Sequence, residues 1–435
     1  MSPAPDTRHT DNKHPRRQAS RPAAAPKPSK NDRGDGPCPV MRSCGGCTWL
    51  GLPYHKQLSR KQQAVEELFA PLISRHRWDT VIEPVYGMGG CAGDGPLPRP
   101  TGFRYKAVTP FSPGRHGAVR CGFFARGTHS IVPISDCLVE TPGARRILNE
   151  VAACAERLRI PAYDEDRGCG LLRYAVLRLG WKRDEGILTL VTAQREIPRF
   201  RALLGELRRI DPRITTIAQN INGRTTNAIL GSTTTVLAGP KRMRDELLGC
   251  TFEISPTAFY QTNPAQTETL YRLAIDGMAL QDGDTLLDAY CGSGTIGLCA
   301  VRDAAANSLD VHLLGVERNA AGIADAQRNA RINDLQDRSD FIAEDATAYL
   351  KRAASRGARI DIVSMDPPRA GSTPQFIDAV CSIGPRRVVY VSCNPVTQVR
   401  DLDRFAACGY RLRSLAPVDM FPHTDHIETV AVLER

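Results

Sequence analysis

No stretch of this sequence approaches the roughly 18 uninterrupted apolar residues that a membrane span requires, so none is expected to enter a bilayer. No secretory leader opens it, because the first residues are polar and proline-rich. A cytoplasmic protein is therefore expected. No internal repeat is evident, which sets aside stacked arrays. There are 14 cysteines, but without a secretion signal a chain of this size is not expected to build a disulfide framework. Most of them stand singly in apolar contexts, as at Cys154, Cys250, Cys299, Cys381 and Cys408, where cysteine acts as a small hydrophobe. Net acidity is also lacking. With 57 Lys and Arg against 47 Asp and Glu the formal charge is +10, so a polyanion is the expected partner.

What is present divides along the chain. At 435 residues and 42% hydrophobic composition, two or three domains are expected. Residues 1–36 carry six prolines and eight Lys or Arg against four Asp. They read as a disordered basic tail that can attract RNA phosphates through charge alone. Residues 37–100 join a Cys/Gly cluster, Cys38 to Trp49, to a helix from Tyr54 to about Arg75 and then a Gly/Pro loop, Gly87–Pro100. In that helix Leu58, Val65, Leu68, Phe69 and Leu72 fall at helical spacing.

Residues 101–255 mix strand-like runs (Ala118–Phe124, Tyr174–Leu179, Ile187–Ala193, Thr216–Ile221, Thr233–Leu237, Phe252–Ile254) with helices near 141–159 and 198–209. This reads as a separate α+β, RNA-binding domain. Residues 256–435 alternate strands and helices, the pattern of a parallel sheet. Asn263-Pro264-Ala265-Gln266 opens its first helix, with Asn as cap, Pro at the first helical position and Gln placed to close a capping box. Tyr410–Val418 and Ile427–Leu433 read as an antiparallel edge.

Three apolar runs deliver the chemistry at their C-terminal ends, as in an open α/β sheet with its site along one edge. The strand Thr285–Asp288 leads into Gly292-Ser293-Gly294-Thr295-Ile296-Gly297. Two glycines allow a tight turn near a ligand and the third allows close helix packing. Glu317 ends the next strand, where a carboxylate suits ribose hydroxyls. That spacing fits NAD as well as S-adenosylmethionine. Asp288 before the loop and Asp366-Pro367-Pro368-Arg369 two strands later favour the methyl donor. The third run, Val388-Val389-Tyr390-Val391-Ser392-Cys393-Asn394-Pro395, ends on a thiol. A thiolate beside a methyl sulfonium suits methylation at an unactivated carbon. Addition of Cys393 to carbon 6 of uracil makes carbon 5 an enolate carbon able to attack the methyl group. A base must then remove the carbon-5 proton. Glu428, His423 and His426 compete for that role, and the sequence does not choose among them.

A second set of thiols opens the folded part. Cys38, Cys44 and Cys47, with Gly45 and Gly46 between the last two, suit zinc or an iron–sulfur cluster. The spacing is not the Cys-x3-Cys-x2-Cys of radical enzymes. A fourth ligand must come from afar, and Cys137 is taken over Cys121 and Cys91.

Together the Ser-Cys-Asn-Pro, Asp-Pro-Pro-Arg, His-x-Glu and Phe259-Tyr260-Gln261-Thr262-Asn263-Pro264 segments resemble the RNA (uracil-5-)-methyltransferase family, from about Cys38 to Arg435. The resemblance implies a Rossmann-like class I methyltransferase sheet, mostly parallel with an antiparallel last strand. It implies Cys393 as nucleophile and Glu428 as base. Gln261, Tyr290, Thr295, Glu317, Asp345 and Asp366 would line the S-adenosylmethionine and base site, Asp366 also holding the uracil edge. It further implies a [4Fe–4S] cluster on Cys38, Cys44, Cys47 and Cys137, and RNA as substrate: 23S rRNA first, the tRNA T-loop second, with the protein acting as a monomer. Two departures stand out. Many ribosomal members carry a small β-barrel ahead of the cluster, whereas 37 residues precede Cys38 here. Relatives often read Tyr-Arg-Asn-Lys where this chain has Phe103-Arg104-Tyr105-Lys106. Arg104 and Lys106 are expected phosphate contacts. The rivals are an amino-group methyltransferase, which usually carries an aromatic where Arg369 stands, and a non-catalytic iron–sulfur RNA-binding protein.

Overall fold

The computed structural model describes residues 37–226 and 228–435. The tail expected over residues 1–36 lies outside them. The C-terminal sheet runs in the order Ser339–Ala343, His312–Glu317, Thr285–Ala289, Ile362–Met365, Arg387–Ser392, Glu428–Glu434, Arg411–Val418. The first five strands are parallel, and Glu428–Glu434 is antiparallel to both its neighbours. Helices cover these strands on both faces, so they bury both rows of side chains: all four residues of Ile362–Met365 and Val388 to Val391 are buried. The chain reverses its direction of travel across the sheet at Thr285–Ala289 and Ile362–Met365. That reversal opens a crevice at the strands' carboxyl ends, the usual ligand position in such sheets.

Two expectations need correction here. The antiparallel pair is not an edge. Glu428–Glu434, buried from Glu428 to Leu433, inserts between Arg387–Ser392 and Arg411–Val418. Arg411–Val418 is then covered by Val81–Ile82 and Tyr86–Gly87, which pair with it in parallel. Tyr86–Gly87 forms a small hairpin with Gly90–Cys91 inside the stretch read as loop. The capping box is also absent. Asn263 accepts the Gln266 amide as expected, but the Gln266 side chain donates to Tyr86 O (2.9 Å) and Asp419 O (3.2 Å) instead of reaching back.

The second sheet has seven strands, ordered Thr233–Ala238, Ile214–Ile221, Gly186–Thr192, Leu172–Leu179, Lys106–Pro113, Val119–Phe124, Ile131–Pro133. Helices Ala144–Arg157 and Phe200–Ile210 pack on it through Ile147, Leu148, Val151, Leu203 and Leu207. Lys106–Pro113 escaped the sequence reading because Pro110 and Pro113 argue against a central strand. The hairpin Met243–Leu247/Cys250–Ile254 leaves this sheet and packs Met243, Leu247 and Phe252 with Leu270 and Leu298 of the C-terminal helices. Helix Tyr54–His76 does likewise on the other face, placing Val65, Phe69 and Leu72 with Leu402, Phe405 and Tyr410.

Candidate active site

The glycine loop forms as its residue types dictate. Gly292 and Gly294 take φ of 53° and 78°, and Gly294 caps helix Thr295–Ala306. A Cβ on Gly297 would lie 2.6 Å from Leu313 and 3.0 Å from Asp288, so the helix approaches the strands as only glycine permits. Tyr290 also takes a left-handed φ of 62°. Its hydroxyl bonds Ser372 (3.1 Å) and its ring packs on Phe376. A non-glycine residue held there marks a site whose surroundings enforce the conformation.

These turns wall a cavity of about 230 Å³ at the carboxyl ends of the strands. Tyr290, Thr295, Glu317 and Asp366 line it, four of the six residues expected at the cofactor. Thr295 is held by Tyr271 (2.9 Å). Glu317 accepts the Asn319 amide through one oxygen (2.7 Å). Gln261 and Asp345 are not in the wall. Asp345 instead caps helix Ala346–Ser355, accepting the amides of Thr347 and Ala348. Sequence reasoning missed the opposite wall, Ser255 and Thr257 to Tyr260. The signal was the Phe259–Pro264 segment, of which only Gln261 was assigned. Fully buried Arg178 donates to Tyr260 O (3.1 Å) and Ala258 O (3.2 Å), so the seven-stranded sheet holds this wall in place.

Cys393 follows directly on strand Arg387–Ser392, half-buried, before helix Pro395–Ala407. Burial raises its thiol above the ordinary value, Glu428 and Asp366 raise it further, and Arg369 lowers it. Burial pushes Asp366 up to about 7. Glu428 is pushed to about 8 by burial and then by Asp366. The thiol and two carboxylates therefore form one electrostatic group.

The competing histidines are differently engaged. His423 is fully buried, with Nδ1 on Gln57 (3.2 Å) and Nε2 on Pro100 O (2.9 Å). Burial lowers its pKa, and both ring nitrogens are already taken. His426 faces Arg369 at 3.3 Å.

Cys38, Cys44, Cys47 and Cys137 line one small cavity with Met41, Leu50, Ile134 and Val139. Cys47 is pushed up to about 11, by burial first and then by Cys137 and Cys44. Cys121 is instead buried and donates to Asn149 (3.1 Å), and Cys91 belongs to the Gly90–Cys91 strand. The all-thiol donor set suits soft iron or zinc. Among the described residues, however, no three His, Cys, Asp or Glu side chains are arranged to hold a metal ion, so the expected four-thiol group is gathered without being closed. Arg104 stands beside this set, its charge lowering the Cys47 thiol. Lys106 is half-buried opposite Arg178, and burial and then Arg178 push its ammonium down to about 8. No helix among the described residues is long and apolar enough to cross a membrane.

The sheet order, with Glu428–Glu434 set antiparallel among parallel strands, and the glycine loop at the switch point are those of an S-adenosylmethionine-dependent class I methyltransferase. Comparison with known proteins agrees. A family model described as tRNA (Uracil-5-)-methyltransferase matches residues 242–435. An uncharacterized RNA methyltransferase of Halalkalibacterium halodurans is 36% identical over 403 residues, covering 93% of this chain and 84% of that one. One from Lactiplantibacillus plantarum is 36% identical over 397 residues, covering 91% and 82%. The crystal structure of Pyrococcus abyssi tRNA (uracil-54, C5)-methyltransferase with S-adenosyl-L-homocysteine matches with a TM-score of 0.69 at 25% identity, over 90% of this chain and 86% of that one. The chain belongs to the RNA (uracil-5-)-methyltransferase family. Its enzymatic class sets aside the non-catalytic rival.

Proposed function

We propose that this enzyme methylates carbon 5 of a uridine in 23S rRNA, as a cytoplasmic monomer, with Cys393 as nucleophile and Glu428 as base. The observation that carries the chemistry is the grouping of Cys393, Glu428 and Asp366 beside the glycine-loop cavity. The Cys393 thiolate adds to carbon 6, and carbon 5 takes the methyl group from the sulfonium, leaving S-adenosylhomocysteine. Glu428 removes the carbon-5 proton, the carbon 6–sulfur bond breaks, and the thiolate departs as the 5,6 double bond re-forms. Asp366 serves both the methyl donor and the uracil edge. Gln261, Tyr290, Thr295, Glu317 and Asp345 serve the donor and the base, supported for Tyr290, Thr295 and Glu317 by their place in the cavity wall. Cys38, Cys44, Cys47 and Cys137 hold a [4Fe–4S] cluster, supported by their shared cavity.

A second reading, the tRNA T-loop, is favoured by the likeness to the Pyrococcus abyssi enzyme, a tRNA (uracil-54, C5)-methyltransferase. Quantifying 5-methyluridine in purified rRNA and tRNA from a deletion strain separates the two. Loss from 23S rRNA is expected, and loss from tRNA alone overturns it. For the chemistry, Cys393→Ala should abolish both methylation and any covalent RNA adduct. Glu428→Gln should accumulate an already methylated RNA–protein adduct on denaturing gels. If His426→Ala forms that adduct and Glu428→Gln turns over normally, the base is His426.

A further inference from the structure

Helix Tyr54–His76 presents three polar side chains on one face, Tyr54, Gln57 and Lys61, at i, i+3 and i+7. They are 3%, 0% and 1% exposed, in a helix whose buried face should by packing alone be apolar. Each has a partner in one place, the loop between Arg411–Val418 and Glu428–Glu434. Lys61 Nζ donates to Asp419 Oδ1 (2.6 Å) at the start of that loop and to His426 O (2.6 Å) at its end, with Phe421 O at 3.4 Å. All three ammonium protons are thereby used. Tyr54 donates to Asp419 Oδ2 (2.9 Å). Gln57 Oε1 accepts the His423 amide (2.9 Å) while its Nε2 donates to Trp49 O and Leu52 O. His423 is held at a left-handed φ of 68°, and its carbonyl accepts the Trp49 amide (2.9 Å), two residues beyond Cys47.

A buried ion pair adds little stability over a well-packed apolar pair. What this network supplies is position, since it staples both ends of the loop that delivers Glu428. We infer that Lys61, seconded by Gln57, is a positioning residue that sets Glu428 for removal of the carbon-5 proton. The inference rests on Glu428 being the base. The hydrogen bonds just described do not reach Arg387–Ser392 or the glycine loop, so release is the step expected to suffer most, while addition shifts less, through the charge that Glu428 places on the Cys393 thiol.

The test is a single-turnover measurement with substrate RNA and labelled methyl donor, following incorporation and release separately. The variant is Lys61→Met with Asp419→Asn, which avoids an uncompensated buried carboxylate. Incorporation should stay within about threefold of wild type while release slows by about tenfold or more, a part of the 10²–10⁴ a positioned base supplies, with methylated adduct visible on denaturing gels. Unchanged release, or a parallel fall of both steps, in a variant that binds S-adenosylhomocysteine as wild type does overturns the inference. Should the double variant fail to fold, Gln57→Met is read by the same criteria. Glu428→Gln in parallel keeps the two claims apart. If it forms no adduct the base assignment fails, whereas adduct there and none in the loop variants sinks only the positioning role.

Discussion

Asp288 accepts the backbone amide of Gly297 at 3.0 Å, tying the end of its strand to the first turn of the following helix. Neither residue needs to touch a ligand for this bond to set the loop between them. Gly297→Ala should therefore weaken S-adenosylhomocysteine binding by about tenfold or more, because the new Cβ drives the helix off the strand, at about 1–3 kcal/mol of overpacking. Isothermal calorimetry checks it. The adjacent Thr295→Ser, which keeps its hydroxyl, should change little.

The rate should carry an acid limb. Glu428 lies near 8 and Asp366 near 7, so both are largely protonated in free enzyme at mildly acidic pH. A base must be ionised, hence kcat/KM should rise with pH through about 7–8, with values belonging to the pair rather than to either residue. A flat profile from pH 6 to 9 contradicts this. Glu428→Asp should retain the limb.

Stability should run the opposite way. Carboxylates raised in the fold favour the protonated form there, so their contribution is fully present below the unfolded value near 4 and is lost as pH climbs through about 7–8. Ligand-free wild type should melt lower at pH 8.5 than at pH 5.5, and Glu428→Gln should narrow that gap by about 2 °C or more. Differential scanning fluorimetry at both values decides it.

Protein purified without oxygen should be brown and hold about four irons per chain if the thiol cavity closes on a cubane cluster. Cys137→Ser should lose the metal and Cys121→Ser should not, given its bond to Asn149. Stoichiometric zinc without colour would contradict the iron assignment.

RNA binding should weaken steeply with salt, and removal of residues 1–36, net +4 by sequence, should make the slope of log Kd against log salt shallower. Filter binding between 50 and 200 mM salt measures it.

How far the sequence could be read depended on whether a residue's role is local. The glycine loop, the Asn263 cap and the parallel strands follow from neighbours within a few residues, and they were legible. The place of Glu428–Glu434 inside the sheet was not, because a buried last strand and a buried edge strand read alike. His423 and Glu428 were indistinguishable in sequence. Only the fold shows His423 turned to Gln57 and Pro100 while Glu428 joins Asp366 and Cys393. Lys61 drew no reading from the sequence, since its partner Asp419 lies far along the chain. Lys106–Pro113 was hidden by its prolines.

The strand that finishes the sheet has its own consequence. Val81 pairs with Ser414 and Ile82 with Leu415, so an early segment seals a border formed by residues made far later. During synthesis helix Tyr54–His76 must wait, its apolar stripe uncovered, until most of the chain has emerged. A gene fragment confined to residues 242–435 would expose an unpaired strand and the vacated seat of Val65, Phe69 and Leu72. Such a fragment should aggregate, so the stretch that a family can be known by is not one that can be inherited, transplanted or expressed by itself.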